Sequence, residues 1–349
     1  MNLFFSDVFD VKPQTIERYG AFNISLVSDL PLFIDPFLLF NSSKRAYKRL
    51  HKNIIKYLAF LRDQARDSNL DSDTVAALYR FPEVKQIWFG FSVDGNRGSG
   101  LGAHFAGTLH DNLNKIFKDF GKEQITQSSH LEKLTLVSSG VGKDNISDFT
   151  TNLIREFLLE YTQRFAQRYI DSRHRRKVAV NKVRFNHETE SWERGTYDLP
   201  WYAGDYVLLT PRDMLTKDDT WINKTDLIKD FESIPDALPN AELRALINRH
   251  FERELPRRRE PNSEDRQKAA ISTILKFPEL IDGFIRLKEL NGRKAASISS
   301  QKVELSNQLY VQQVKALAEL LVTESGVLYH CGQYVCGGTC PSSVPERHY

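Results

Sequence analysis

Residues 84–102 read Val84-Lys85-Gln86-Ile87-Trp88-Phe89-Gly90-Phe91-Ser92-Val93-Asp94-Gly95-Asn96-Arg97-Gly98-Ser99-Gly100-Leu101-Gly102. A short apolar run passes through clustered glycines into an amphipathic stretch, Ala103–Phe120, in which Phe105, Leu109, Leu113 and Ile116 share one helical face. The pattern predicts a buried strand over Val84–Ser92, a tight turn, and a helix stopping at Gly121. The same order recurs downstream. Leu134–Val137 reads as a strand, Ser138-Ser139-Gly140-Val141-Gly142-Lys143-Asp144 as the turn, and Ser147–Ile170 as a long helix. Phe149, Leu153, Ile154, Phe157, Tyr161, Phe165 and Tyr169 mark the buried face of that helix.

Outward from these two passages, residues 1–41 carry Pro31 and Pro36 in a Phe- and Leu-rich segment and read as short strands and turns. Ser42 or Ser43 is placed to cap a helix reaching Arg66, with Tyr47, Leu50, Ile54, Leu58 and Leu61 on its inner stripe. A short helix follows over Thr74–Arg80. Val178–Phe185 and Tyr206–Thr210 read as strands around a turn-rich stretch containing Trp192, Gly195 and Trp201. From Asn223 to Val322 the pattern is helical, interrupted near Pro235, Pro256, Pro261 and Pro278. The expectation is an α+β fold: a mixed α/β body over 1–235, a mainly helical segment over 236–325, and an atypical tail over 326–349.

The 349 residues, 41% hydrophobic and 27% charged, exclude a collagen, a coiled-coil rod and a disordered chain. No apolar run approaches the ~20 residues that span a bilayer. Met1-Asn2-Leu3-Phe4-Phe5-Ser6-Asp7 lacks the basic and apolar regions of a secretory signal. All three cysteines, Cys331, Cys336 and Cys340, lie in the tail, and a cysteine-free body suits a reducing cytoplasm. With His330 or His348 the thiols have the donor types for zinc, but their spacing matches no established zinc signature. The abrupt switch to Cys, Gly, Pro and Ser also fits a non-native or disordered end.

Net charge is only +3, so local runs matter more than the sum. Arg173, Arg175, Arg176 and Lys177 form one basic run, and Arg257-Arg258-Arg259 a second; each is either a solvated face or a phosphate contact. Arg97, Gly98, Gly100 and Gly102 at one corner, and Gly142 and Lys143 at the other, could hold an anion on free backbone N–H groups; a plain turn is the alternative. Neither corner matches the dinucleotide fingerprint or the phosphate loop of ATPases. Asp144 and Asp148 sit where a helix start needs caps, or where two carboxylates would hold Mg²⁺ for phosphodiester cleavage. Glu83-Val84-Lys85 has the acidic-x-Lys form of restriction-type nucleases, as does Asp10-Val11-Lys12, against about three such tripeptides expected by chance. Glu83, Lys85, Asp144 and Asp148 are the catalytic candidates. The histidines form no His-Glu-x-x-His pair, and His104 and His110 do not share a helical face.

Leu30–Phe37, the Gly98-x-Gly100-Leu101-Gly102 turn, Gly142–Thr150 and Gly204–Pro211 continuing through Asp219–Asn223 together resemble a family of uncharacterised bacterial proteins similar to components of defence and mobile-element regions. The likeness spans about residues 1–325. It implies that longer members carry a C-terminal restriction-endonuclease-like domain, and the region after 325 has no such strand pair. The expected function is therefore the nucleic-acid-binding or regulatory region of a bacterial defence protein, with DNA or RNA as partner. A Mg²⁺-dependent nuclease and a protein-interaction scaffold built on helices 223–322 are the alternatives.

Overall fold

The computed structural model describes residues 4–65, 72–90, 105–107, 109, 110, 113, 123–137 and 141–333. Contacts divide the chain into two units, Asn2–Val303 and Glu304–Tyr349, the latter together with Met1. The larger unit is α+β, with antiparallel strands in two small sheets and a helical C-terminal segment.

The N-terminal region is more helical than its prolines suggest. Helices α1 (Phe5–Val8) and α2 (Pro13–Tyr19) precede strand β1 (Leu32–Ile34) and helix α3 (Pro36–Asn41). Pro13 and Pro36 each occupy a first helical turn, where a missing N–H costs nothing. Asp35 caps α3 by accepting from the Phe37 N–H at 2.9 Å. Helix α4 (Arg45–Gln64) buries Tyr47, His51, Ile54, Leu58 and Leu61 along one stripe. Its cap is Lys44 rather than a serine; Ser42 instead accepts from the Lys44 N–H. Helix α5 (Ser72–Tyr79) lies where the apolar spacing placed one.

Among the described residues two expected strands are absent. Lys85–Ile87 forms a single 3-10 turn, Trp88 takes a left-handed φ of 56°, and only Phe89 makes a bridge, to Leu30. Val84, Ile87 and Phe89 are still buried, so the apolar run reported burial and not a ladder. The run at 134–137 belongs to helix α6 (Lys133–Val137). Four apolar residues do not distinguish strand from helix, and here tertiary packing of Leu136 into a helical core decides it. The long helix expected after it is two, α7 (Lys143–Leu153) and α8 (Arg155–Tyr169), broken where Ile154 leaves helical dihedrals.

Strands β2 (Arg175–Asn186) and β3 (Ser191–Tyr202) form a long antiparallel ribbon, extended by β4 (Asp205–Tyr206). Register slips between Val180 and Arg184, where Lys182 adopts a φ of 51° and its ammonium reaches the carbonyls of Ala77, in the last turn of α5, and Arg80, just after it. The ribbon packs on α8, and Tyr57, Phe81, Phe149, Phe185 and Trp192 interlock beneath its tip. Of the expected Tyr206–Thr210 strand only Tyr206 joins the ladder. Strand β5 (Leu215–Lys217) pairs with β1, Leu32 opposite Lys217.

Helices α9 (Lys224–Lys229), α10 (Ala241–Glu254), α11 (Ser263–Lys276) and α12 (Glu279–Leu290) follow. Their core is shared with the body: Phe37, Leu38, Leu136 and Ile222 pack with Ile247, Leu280, Phe284 and Ala295. Trp221 pins the two together, its indole N–H donating to the Lys288 carbonyl at 3.1 Å and its backbone N–H to Asp35 at 2.8 Å. Helix α13 (Gly292–Gln333) runs past Val303 into the smaller unit, so residues 326–333 of the expected tail are helical. Among the described residues no helix is long and apolar enough to cross a membrane.

Candidate functional site

Strand alternation and packing sort the basic run at the root of the ribbon. Arg175 turns toward β3 and binds Asp198 at 2.5 Å, leaving its side chain 17% exposed. Arg176 points outward, its guanidinium 4.7 Å from the centroid of Trp201. Lys177 is exposed, and Arg173, on the preceding 3-10 turn, is 72% exposed with Asp171 3.9 Å away. Arg176 thus joins the start of β2, an edge strand of its sheet, to the Trp201 indole on β3, with Arg173 and Lys177 exposed close by in sequence. Helix α8 ends close by in sequence with Arg168 over Tyr169. In the second basic run, Arg259 is held by Asp265 at the capped start of α11.

The glycine corner with Arg97, Gly98, Gly100 and Gly102 lies outside the described residues, as do His104, Gly121 and Gly140. At the other corner the anion cradle is not formed. The Gly142 N–H donates to Asn145 at 2.9 Å, and the Lys143 ammonium donates to the Asp218 carbonyl while lying 4.7 Å from the Phe33 ring centroid. Cap and lysine are both committed to holding the start of α7 in place. His110 stands edge-on to Tyr79 with centroids 5.6 Å apart. Cys336, Cys340 and His348 lie outside the described residues, and Cys331 is on α13.

The four catalytic candidates do fall in one neighbourhood. Asn152 on α7 donates both to the Pro82 carbonyl and to the Asp148 carbonyl, each at 2.9 Å, which ties the 82–85 segment to the helix. Burial, then the nearby Glu83 and Asp144 carboxylates, push Asp148 up to about 7. Burial also raises Asp144. A fifth residue joins them: Asp29, raised to about 7 by burial and by Glu83 against the opposing pull of Lys85. Its place in Ser28-Asp29-Leu30-Pro31 carries only a turn signal, so no spacing rule links it to Glu83. Yet among the described residues no group of three or more His, Cys, Asp or Glu side chains converges closely enough to hold a metal ion. This corner is an electrostatically linked set, without the ligand geometry that Asp144 and Asp148 would need for Mg²⁺.

A second acidic pair lies at the centre of the unit. Asp35 and Glu132 are both fully buried and adjoin one another. Asp35 is satisfied by the N–H groups of Phe37 and Trp221, and the Glu132 carboxyl lies against the Asp35 carboxyl. Burial raises Asp35 to about 6 despite those donors, and raises Glu132 well above the usual carboxylate range. Nearby, Glu289 accepts from the Gln127 and Ser128 N–H groups and meets His130 Nε2 at 3.0 Å. His51, its proton affinity lowered to about 3 by burial and then by His130, is neutral. Asp35 and Glu289 each fasten backbone from distant parts of the chain.

Nothing among curated proteins and nothing among solved structures matches the chain. Residues 10–223, more than half of its length, match a family described as a domain of unknown function (DUF8370). The matched stretch contains the basic root of the ribbon, the carboxylate corner and Asp35 with Glu132, and the chain belongs to the DUF8370 family.

Proposed function

We propose that the protein binds nucleic acid through the root of the β2–β3 ribbon and, following the resemblance to bacterial defence proteins, serves there as a recognition region. The observation that carries this reading is exposed Arg176, its guanidinium 4.7 Å from the Trp201 indole centroid, with exposed Arg173 and Lys177 close by in sequence. Cations without buried partners neutralise phosphates and release counterions, while a partly exposed indole offers a stacking surface to an unpaired base. The glycine corner at 142–143 has no part in it, because Lys143 is engaged elsewhere.

The test is a salt titration of fluorescence anisotropy with single-stranded DNA, single-stranded RNA and duplex DNA. Replacing Arg173, Arg176 and Lys177 by alanine is expected to weaken single-strand binding. It should also reduce the slope of log K against log salt by about 2, near 0.7 for each phosphate no longer neutralised. Absence of binding to all three polymers at low salt rejects the proposal.

The nuclease alternative draws on the electrostatic coupling of Glu83 to both Asp29 and Asp148, with Lys85 acting on Asp29 and Asp144 on Asp148. Their spacing does not supply a metal cage among the described residues, which ranks it second.

A further inference from the structure

A cavity of about 460 Å³ opens between α4, α8 and the tip of the ribbon, within the size range of small-molecule sites. One wall is a stripe of α4 carrying Arg49, Asn53 and Lys56, spaced four and three residues apart so that all face the same side. The opposite wall, from α8, carries Glu156, Phe157, Glu160 and Arg164, and the ribbon supplies Phe185 and His187. The acidic residues lie beside cations of their own walls: Glu160 is 3.6 Å from Arg164, and Glu156 is 3.3 Å from Arg184, which also binds Glu193 at 2.6 Å. Arg49 and Lys56 have no carboxylate within ion-pair distance among the described residues, so the cavity holds uncompensated positive charge along one wall. The ribbon wall is aromatic, and α8 adds Phe157 among its charged residues. Phe185 and His187 stand at 85° with centroids 5.1 Å apart, and burial followed by the charge of Lys56 lowers the proton affinity of His187 against the opposing pull of Glu190.

We propose that this cavity binds a phosphorylated nucleoside, its phosphate on Arg49 and Lys56 and its base against Phe157, Phe185 and His187. An anion alone would use only the α4 wall, and an uncharged aromatic would leave the two cations unanswered. A nucleotide uses both. Asn53, between the two cations, offers a donor and an acceptor to a sugar hydroxyl. The site is separate from the root of the ribbon: Arg184 and Phe185 are near one end of the twelve-residue strand and Arg176 near the other.

Calorimetric titration of the whole chain with AMP, adenosine and inorganic phosphate tests this. Saturable AMP binding is expected, with adenosine and phosphate each at least about tenfold weaker, because one lacks the charge-assisted hydrogen bonds and the other the stacking. The double variant Arg49→Ala/Lys56→Ala should bind AMP at least about tenfold more weakly at an unchanged melting temperature, and Arg49→Lys/Lys56→Arg should retain binding. A 5′-phosphorylated tetranucleotide as a further ligand distinguishes a free nucleotide from a strand end by which of the two binds tighter. Arg176→Ala/Lys177→Ala should leave AMP affinity intact, so this site and the ribbon root stand or fall separately. Failure of AMP, GMP, CMP and UMP to bind at millimolar concentration overturns the proposal. So does phosphate binding as tightly as AMP, full binding by the double alanine variant, or abolished AMP binding in the ribbon variant.

Discussion

At Glu132 a carboxyl group is fully buried against the carboxyl of Asp35, and this sets a dependence on pH. Both groups hold their protons more tightly in the folded chain than in the unfolded one, where carboxyls titrate near 4. The folded state therefore binds more protons than the unfolded state above that range. The pair's contribution to stability falls as pH rises from about 4 through 6 and beyond. Glu132→Gln should remove much of this penalty, raising the melting temperature at pH 8 and leaving it nearly unchanged at pH 4. Asp35→Ala should act in the opposite sense, costing about 1–3 kcal/mol at pH 7, because the buried N–H groups of Phe37 and Trp221 lose their acceptor. Thermal melts of both variants at the two pH values check the pair. A Glu132→Gln protein that melts lower at pH 8 than the parent contradicts the account.

Among the elements, one strand of the ribbon was legible over Val178–Phe185 and its basic root was visible as a run, whereas the stretch with Trp192, Gly195 and Trp201 reads as turns and is the strand β3, because Gly195 and Pro200 mask its alternation. What the run concealed was the direction of each side chain, since Arg175 is taken up by Asp198 across the strands. The helix α4 stripe was equally plain, but a stripe reads as core, and the same periodicity places Arg49, Asn53 and Lys56 beside a cavity whose other walls come from distant parts of the chain. Short apolar runs misled in both directions: Val84, Ile87 and Phe89 are buried without a ladder, and 134–137 is helical. The coupling of Asp29 to Glu83 is a product of tertiary folding that no local spacing records. Within β3, Gly195 sits opposite Val180, and a Cβ there would come within 2.7 Å of the Tyr197 ring. Gly195→Ala should force that ring aside and cost about 1–3 kcal/mol. A denaturant midpoint equal to the parent's would show instead that the tyrosine swings away freely.

For the molecule as a whole, the family match ends at residue 223, while the core does not. Phe37, Leu38, Leu136 and Ile222 face the helices that follow, so a chain cut after Asn223 should present a broad apolar surface. Such a fragment is expected to aggregate or lose its cooperative transition, whereas the full chain unfolds with that surface covered; sedimentation and circular dichroism distinguish the outcomes. Trp221 sharpens the point, because two residues before the edge of the match it grips both Asp35 and the Lys288 carbonyl. In evolutionary terms the seam is poorly suited to cassette exchange. A recombination joint at 223 would have to import, with any new downstream sequence, an acceptor for that indole and a lid of matching contour.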